Sequence, residues 1–400
     1  MTAIRTATSR PTLVLAVLFA GAFVMGCAEM LAVGLIDLIA VDLSVSLPAA
    51  GALLTANALG LAIGGPILTF LTTRFDRRRV LLATMVVFIV ASLLPAFGAD
   101  YSAFLVGRVV IGAVQGLFIA AAMVTATSIS PPERAGRAMA VVITGFASSS
   151  ALGMPLGTLL GQGVGWRGSF VAVVGVAVVI LILALRVLPS VPTPRESHAA
   201  GQARFAFAPR VIAVLGLAAL IFVAILSAVT YLVPFLAVVT DVSGPTVGIY
   251  LMAYGVATTI GSFAGGRFAD ANASRALVVG ASGVTVSLVV LFAFGGNPLV
   301  VAIAVVGIGL FGMATGPSLQ HRVVSLSGPG APLASSLPAS AVNAGIAGGA
   351  FAGGVAIDLA GVTAAVLTGA VIGAIAIVAA WATGFLTPAA VAAPEPVATH

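Results

Sequence analysis

Charge is the scarcest property of this chain, and that scarcity decides its solvent. Across 400 residues only 7% are Asp, Glu, Lys or Arg, while 60% are hydrophobic. A soluble globular domain carries about 25% charged residues, so a chain this poor in charge could not keep its surface wetted. The mean hydropathy of +1.23 agrees. Lipid must be the solvent for most of the outer surface, and backbone groups in lipid must be satisfied within helices or a closed barrel.

The remaining charges do not point to nucleic acid, although the net charge is +6 and the pI about 10.7. All 17 basic residues are Arg, spread between apolar segments, with the densest cluster at Arg74, Arg77, Arg78 and Arg79. That is the distribution of a topology signal. Cys27 is the single cysteine, so no intrachain disulfide is expected. His198, His321 and His400 are far apart, and no metal or haem site is expected. The apolar run from Thr12 passes Ala40, interrupted only by Glu29 and Asp37. It is too long for a cleaved signal core and reads as a retained first helix.

A spanning helix needs about 20 mostly apolar residues. Twelve segments qualify: 12–40, 49–71, 79–98, 102–129, 136–161, 168–188, 211–239, 246–268, 276–294, 298–321, 332–357 and 362–386. With the N-terminus inside, fifteen of the arginines fall on the inner side, leaving Arg167 outside and Arg108 within a helix. Both termini are therefore expected in the cytoplasm of a multi-pass cell-membrane protein. The longest connection divides the chain into a six-helix bundle at 1–188, a central cytoplasmic loop at 189–210 and a second bundle at 211–400. The loops after helices two and eight echo each other: Thr-Arg-Phe-Asp-Arg-Arg-Arg at 73–79, and a Gly-Gly-Arg-Phe-Ala-Asp stretch from 265 to 270. Two six-helix halves around a midplane site form a transporter architecture.

Three polar residues stand out inside the apolar segments. Glu29 lies near the middle of helix one, where a charge costs about 2.5–3.5 kcal/mol on insertion scales. Such a residue faces a cavity or a partner, and a carboxyl there can exchange a coupling proton; a structural acid bonded to neighbouring helices is the alternative. Asp37 follows two turns later and could border the same cavity or be hydrated. Arg108 enters helix four to a similar depth as Asp37, so an Asp37–Arg108 contact is expected, with snorkelling as the alternative. Gln115 follows deeper on that helix. Phe23, Phe146, Tyr231, Phe235, Tyr254 and Asn343 are candidates for a substrate cavity. Tyr250 shares a helix face with Tyr254. Arg77, Arg78 and Arg79 read as anchors of the cytoplasmic ends to anionic lipid and as a topology signal; a latch of Arg77 and Arg78 with Asp270 across the cytoplasmic mouth is the alternative.

Several stretches together resemble the major facilitator superfamily, specifically its twelve-helix drug:proton antiporters of the chloramphenicol-efflux and arabinose-efflux-like branch. They are Met25-Gly26-Cys27-Ala28-Glu29, Gly34 to Leu43, Gly153-Met154-Pro155-Leu156-Gly157 with Gly161, Gly165-Trp166-Arg167, Tyr231 to Leu236, and Asn343-Ala344-Gly345 with Gly348, Gly349, Gly353 and Gly354. The resemblance covers about the whole chain. It implies an all-α fold of two pseudo-symmetric six-helix bundles, and a role for the helix-four Arg near the helix-one acids. It also makes Gly153, Pro155 and Gly157 an antiporter motif that marks exporters. The first-half loop departs from the superfamily signature: Thr69, Thr73 and Asp76 stand where Gly, Asp and Gly are usual, whereas Gly266 and Asp270 are kept. Asp37 stands where this branch usually has Pro.

There is no nucleotide-binding Gly-Lys-Ser/Thr loop and no catalytic constellation, so neither ATP-driven transport nor an enzyme is expected. The expectation is a proton-coupled exporter of small hydrophobic compounds, with phenicol antibiotics the implied substrates. The proton is its coupling ion and no other cofactor is expected. Its partners are a small-molecule substrate and lipid, with no nucleic acid, and it acts as a monomer. Export of sugars or other metabolites is the alternative. A non-transporting receptor is more distant, because the tails are short.

Overall fold

A computed structural model describes residues 11–72, 74–97, 100–131, 134–191, 204–334 and 337–387. Helices fall on all twelve expected segments, and the described residues contain no strand. We label them α1 (Pro11–Gly34, continued by Ile36–Asp42), α2 (Leu47–Leu59, a π turn at Gly60–Gly64, then Gly65–Leu71), α3 (Arg77–Leu93 with a 3-10 turn at Leu94–Phe97) and α4 (Tyr101–Ser128). The stretch Ala135–Val187 holds α5 (135–164) and α6 (166–187). There follow α7 (Pro209–Val229, continued by Leu232–Val238), α8 (245–271), α9 (273–293), α10 (Pro298–Ser327), α11 (Leu337–Ala360) and α12 (Val362–Thr383). Among the described residues, ten stretches are long and apolar enough to cross a membrane. The two shorter expected spans are α3, whose helix Arg77–Leu93 has 17 residues, and the start of α5.

The turns follow the punctuation in the sequence. Gly165 adopts φ 80° and ψ 158°, a region open to glycine alone, and there α5 reverses into α6. Asp100 caps α4 by accepting from Ala103 N at 2.8 Å, and Asn297 caps α10 ahead of Pro298. Asp76 caps α3, accepting from the backbone N–H of Arg78 and Arg79. We call the end of the bundle holding Pro11 and Arg77 proximal, and the end holding the 42–47 turn distal.

Small residues set how the helices meet. Along α5, Gly145, Gly153, Gly157 and Gly161 lie against Phe19, Cys27, Leu31 and Leu35 of α1, every pair at one constant sequence offset. A Cβ at Gly153 would lie 2.5 Å from Cys27 Sγ, and one at Gly145 would overlap the Phe19 carbonyl oxygen. In the second half the same offset pairs Gly345, Gly349 and Gly353 of α11 with Ala219, Val223 and Ser227 of α7. A second pairing also repeats. Gly60 and Gly64 of α2 meet Val109 and Ala113 of α4, as Gly261 and Gly265 of α8 meet Leu310 and Ala314 of α10. The sequence echo between the halves is thus an echo of packing.

Apolar burial follows the same division. One buried cluster comes wholly from residues 14–188, and a second comes almost wholly from 206–380. A third, at the distal end, joins Leu31, Ile39 and Phe170 to Tyr231 and Ala365. Hydrogen bonds also cross between the halves there: Thr55 Oγ1 donates to Ala347 O at 3.2 Å, and Gln162 Nε2 to Gly244 O at 3.1 Å. The Tyr231 ring sits over Gly51, and Gly354 lies against Pro48.

Candidate functional site

Beneath that distal seam lies a buried polar cluster built by α1, α2 and α4. Glu29 is 1% exposed, and Arg108, Gln115 and Asn57 are 0% exposed. Arg108 and Gln115 stand seven residues apart on α4, two turns along one face. Gln115 Nε2 donates to Glu29 Oε2 at 2.7 Å. Arg108 Nη1 donates to Ala28 O at 2.8 Å and Nε to Leu53 O at 3.3 Å, placing the guanidinium beside Glu29. Arg108 acts on Glu29 through space, its own hydrogen bonds going to backbone carbonyls. Arg108 Nη2, Gln115 Oε1 and both amide atoms of Asn57 have no hydrogen-bond partner. Spare donors and acceptors at zero exposure are uncommon in a pure packing core. They leave the cluster able to change partners.

The expected Asp37–Arg108 pairing is not formed. The helix is interrupted at Leu35 (φ −123°), which puts Asp37 in the first turn of its own short helix. Its side chain is half-buried. Arg108 instead reaches the α1 backbone at Ala28, more than two turns below Asp37.

The other named residues spread over the fold. Phe23, half-buried on α1, stacks with Phe19, and Phe146 lies across from Gly26 on the α1–α5 contact. Tyr231 is the distal plug, its hydroxyl donating to Ala350 O at 2.8 Å. Phe235 is buried against Gly295 at the α9–α10 turn. Tyr250 donates to Pro298 O and Tyr254 packs on Gly309, both within the second half. Asn343 Nδ2 donates to Ala339 O of its own helix. Pro155 lies within α5 between Gly153 and Gly157, the two glycines packed on α1. At the proximal end, Arg78 donates to Leu185 O and Arg77 N to Val191 O, so both hold their own half. The side chain of Asp270 lies outside the described residues, as does Thr73.

The repeat in packing shows what is particular to the first half. Carrying the α1–α7 pairings across puts an apolar residue in the place of Glu29, namely Ile221, Ile225 or Val229 according to the turn matched. Carrying the α4–α10 register across, Gly309 and Gly316 occupy the places of Arg108 and Gln115. Among the described residues, the buried charged side chains are Glu29, Arg77 and Arg108, all in the first half. The ionisable chemistry is one-sided in a two-sided scaffold.

Two features escape a reading by residue type. Asn57 looks like one more polar residue in an apolar run, and only its helix contact with Gly112 places it beside the cluster. At the distal surface Asp42 accepts from Trp166 Nε1 at 3.1 Å and from Arg167, whose guanidinium also lies 4.4 Å from the Trp166 ring centre. The Arg167 hydrogen bond, with that of Trp166, holds the Asp42 carboxyl below the usual carboxylate range.

Comparison with known proteins gives one answer. The profile described as Major Facilitator Superfamily matches residues 18–330. The inner membrane transport protein YdhP of Escherichia coli (strain K12) is 31% identical over 347 residues, covering 87% of this chain and 88% of the relative. A chloramphenicol resistance protein of Streptomyces lividans is 31% identical over 335 residues, covering 81% and 84%. A probable sugar efflux transporter of Helicobacter acinonychis is 26% identical over 341 residues, covering 85% and 87%. Among solved structures, a bacterial homologue of the human lysosomal transporter Spinster, in an inward-facing and unoccupied conformation, superposes with a TM-score of 0.81. It is 16% identical, with 95% of this chain and 98% of that one covered.

Proposed function

This chain belongs to the Major Facilitator Superfamily, a family of transporters and not of enzymes, and on that premise we propose that it is a proton-coupled antiporter exporting small hydrophobic compounds. One observation carries the proposal: Glu29, the one buried carboxyl among the described residues, held by Gln115 beside the buried Arg108 near the middle of α1. A carboxylate there has a stable neutral alternative, and switching between the two changes the charge balance of the whole cluster. Proton binding at Glu29 leaves Arg108 uncompensated and frees a donor of Gln115. Loss of the proton restores the charge balance.

In an exchange cycle, substrate and proton compete for this state. Glu29 takes a proton from the distal side as substrate leaves there, and the two halves rock about the cluster. Proton loss on the proximal side then resets the affinity for substrate. The distal contacts at Thr55, Gln162 and Tyr231 fit a distally closed, proximally open member of that cycle. The chain would work as a monomer in the cell membrane, both termini cytoplasmic, with proximal meaning inside.

The relative from Streptomyces lividans makes phenicols the first substrates to test. A sugar substrate is the second reading, because one relative is a probable sugar efflux transporter. It fits less well with the buried amides of the described residues, which are Asn57, Gln115 and Asn343. The experiment is accumulation of labelled chloramphenicol, and in parallel of a labelled pentose, by inside-out vesicles with and without an imposed proton gradient. Gradient-driven chloramphenicol accumulation that is lost in Glu29→Gln supports the proposal. Accumulation that survives Glu29→Gln refutes the role of Glu29, and accumulation of pentose alone refutes the substrate class.

A further inference from the structure

Two cavities follow one another along α3, and neither belongs to the cluster around Glu29. The first, about 360 Å³, sits at the proximal end and is lined by Asp76, Arg78, Arg79, Leu82 and Ser190. The second, about 290 Å³, is a wholly apolar groove between α3 and α4, lined by Val86, Val90, Leu94, Val106 and Val110 among others. Arg78, Leu82, Val86, Val90 and Leu94 recur every fourth residue and form one continuous ridge that winds about 40° per step around the helix. Val86 and Val90 are 46% and 59% exposed, open to the membrane.

The polar cavity is already shaped and is basic on balance. Its one carboxylate, Asp76, is engaged: it caps α3 through the N–H groups of Arg78 and Arg79 and accepts the Ser190 hydroxyl. Arg78 is fixed by donating to Leu185 O at 2.6 Å, while its Nε has no hydrogen-bond partner. Arg78 and Arg79 therefore both line a cavity whose acid is taken, and an apolar groove begins one turn further along α3. A ligand that satisfies both parts has an anionic head and a long apolar chain. From Arg78 to Val90 the ridge rises about 18 Å while turning about 120° around the helix, a path that one flexible acyl chain with its headgroup can follow.

We propose that α3 carries a specific site for an anionic glycerophospholipid, its phosphate at Arg78 and Arg79 and one acyl chain along Val86 and Val90. Guanidinium forks suit phosphate oxygens, and the chain replaces water-free but loosely packed groove surface with close contact. Because α3 also holds the residues that follow α6, through Ser190 on Asp76 and Arg77 N on Val191 O, the lipid braces the proximal end of the first half.

The test is native mass spectrometry of the full-length protein released from mixed micelles of phosphatidylglycerol and phosphatidylcholine. Wild type is expected to retain one phosphatidylglycerol in preference to phosphatidylcholine by tenfold or more. The double variant Arg78→Gln, Arg79→Gln should lose that preference. Val90→Trp, which fills the groove and leaves the head pocket intact, should weaken retention of long-chain lipid and leave binding of soluble glycerophosphate unchanged. Equal retention of both lipids by wild type overturns the proposal. So does unchanged retention in both variants, and so does glycerophosphate binding as tightly as the lipid, which would make the pocket a site for soluble anions.

Discussion

Replacing Gly51 by Ala should push the distal end open. Gly51 on α2 and Tyr231 on α7 belong to different halves, and a Cβ at Gly51 would overlap the Tyr231 hydroxyl, with the ring Cζ only 2.7 Å away. The ring cannot retreat easily, because its hydroxyl is bound to Ala350 O and Gly353 and Gly354 press on its other side. Inserting one methyl into such a contact costs about 1–3 kcal/mol. The cost falls only on the arrangement that brings the halves together here, so the closed-to-open ratio should fall by about 5–150-fold. Tyr231→Phe removes the overlapping oxygen and one hydrogen bond, itself worth about 0.5–1.5 kcal/mol. The two changes must therefore be non-additive. The assay is pulsed EPR between spin labels at Val41 and Val238, which are 80% and 73% exposed at the distal end, in a Cys27→Ser background. Gly51→Ala should shift the distribution to longer distances, and adding Tyr231→Phe should restore part of it. An unchanged distribution in folded Gly51→Ala, or effects that add to within about 0.5 kcal/mol, would refute the seam.

Two further expectations follow from other parts of the molecule. Gly145→Ala meets the Phe19 carbonyl and should lower the melting temperature in detergent, whereas Gly175→Ala, with nothing within 4 Å, should leave it unchanged or raise it slightly. The Asp42–Arg167 clamp should make stability depend on acid. Its carboxyl is held below its ordinary value of 3.8 in the folded protein, so its contribution is complete above that value and is lost as pH falls through the depressed one. Arg167→Gln should flatten the loss of thermal stability over that acidic range, measured by differential scanning fluorimetry.

Much of this architecture can be read from the residues. Apolar run lengths locate all twelve helices because lipid enforces both length and hydrogen bonding, and Gly165 and Asp100 stand at turns for local reasons that composition reveals. Glu29 and Arg108 are visible because charge in such a run is expensive. Their pairing is less visible. Depth along each helix suggested Asp37 for Arg108, but the interruption at Leu35 and the pull of two backbone carbonyls decided otherwise, and neither depends on residue type. Gln115 was legible as a deeper polar group on α4, yet its bond to Glu29 needed the helix rotation. Asn57 became part of the site only through the close approach of α2 and α4 at Gly112. The aromatic residues were the least legible. Tyr231, Phe235 and Tyr254 all lie in apolar runs, and tertiary packing sends one to the seam and two into the second half.

Proton release on substrate addition tests the central claim most directly. Purified protein in weakly buffered detergent solution, with a pH-sensitive dye, is titrated with chloramphenicol near neutral pH. If Glu29 exchanges its proton for substrate, wild type releases protons in proportion to binding, and Glu29→Gln binds substrate without releasing any. Release of the same size from Glu29→Gln would place the coupling proton elsewhere and contradict the account.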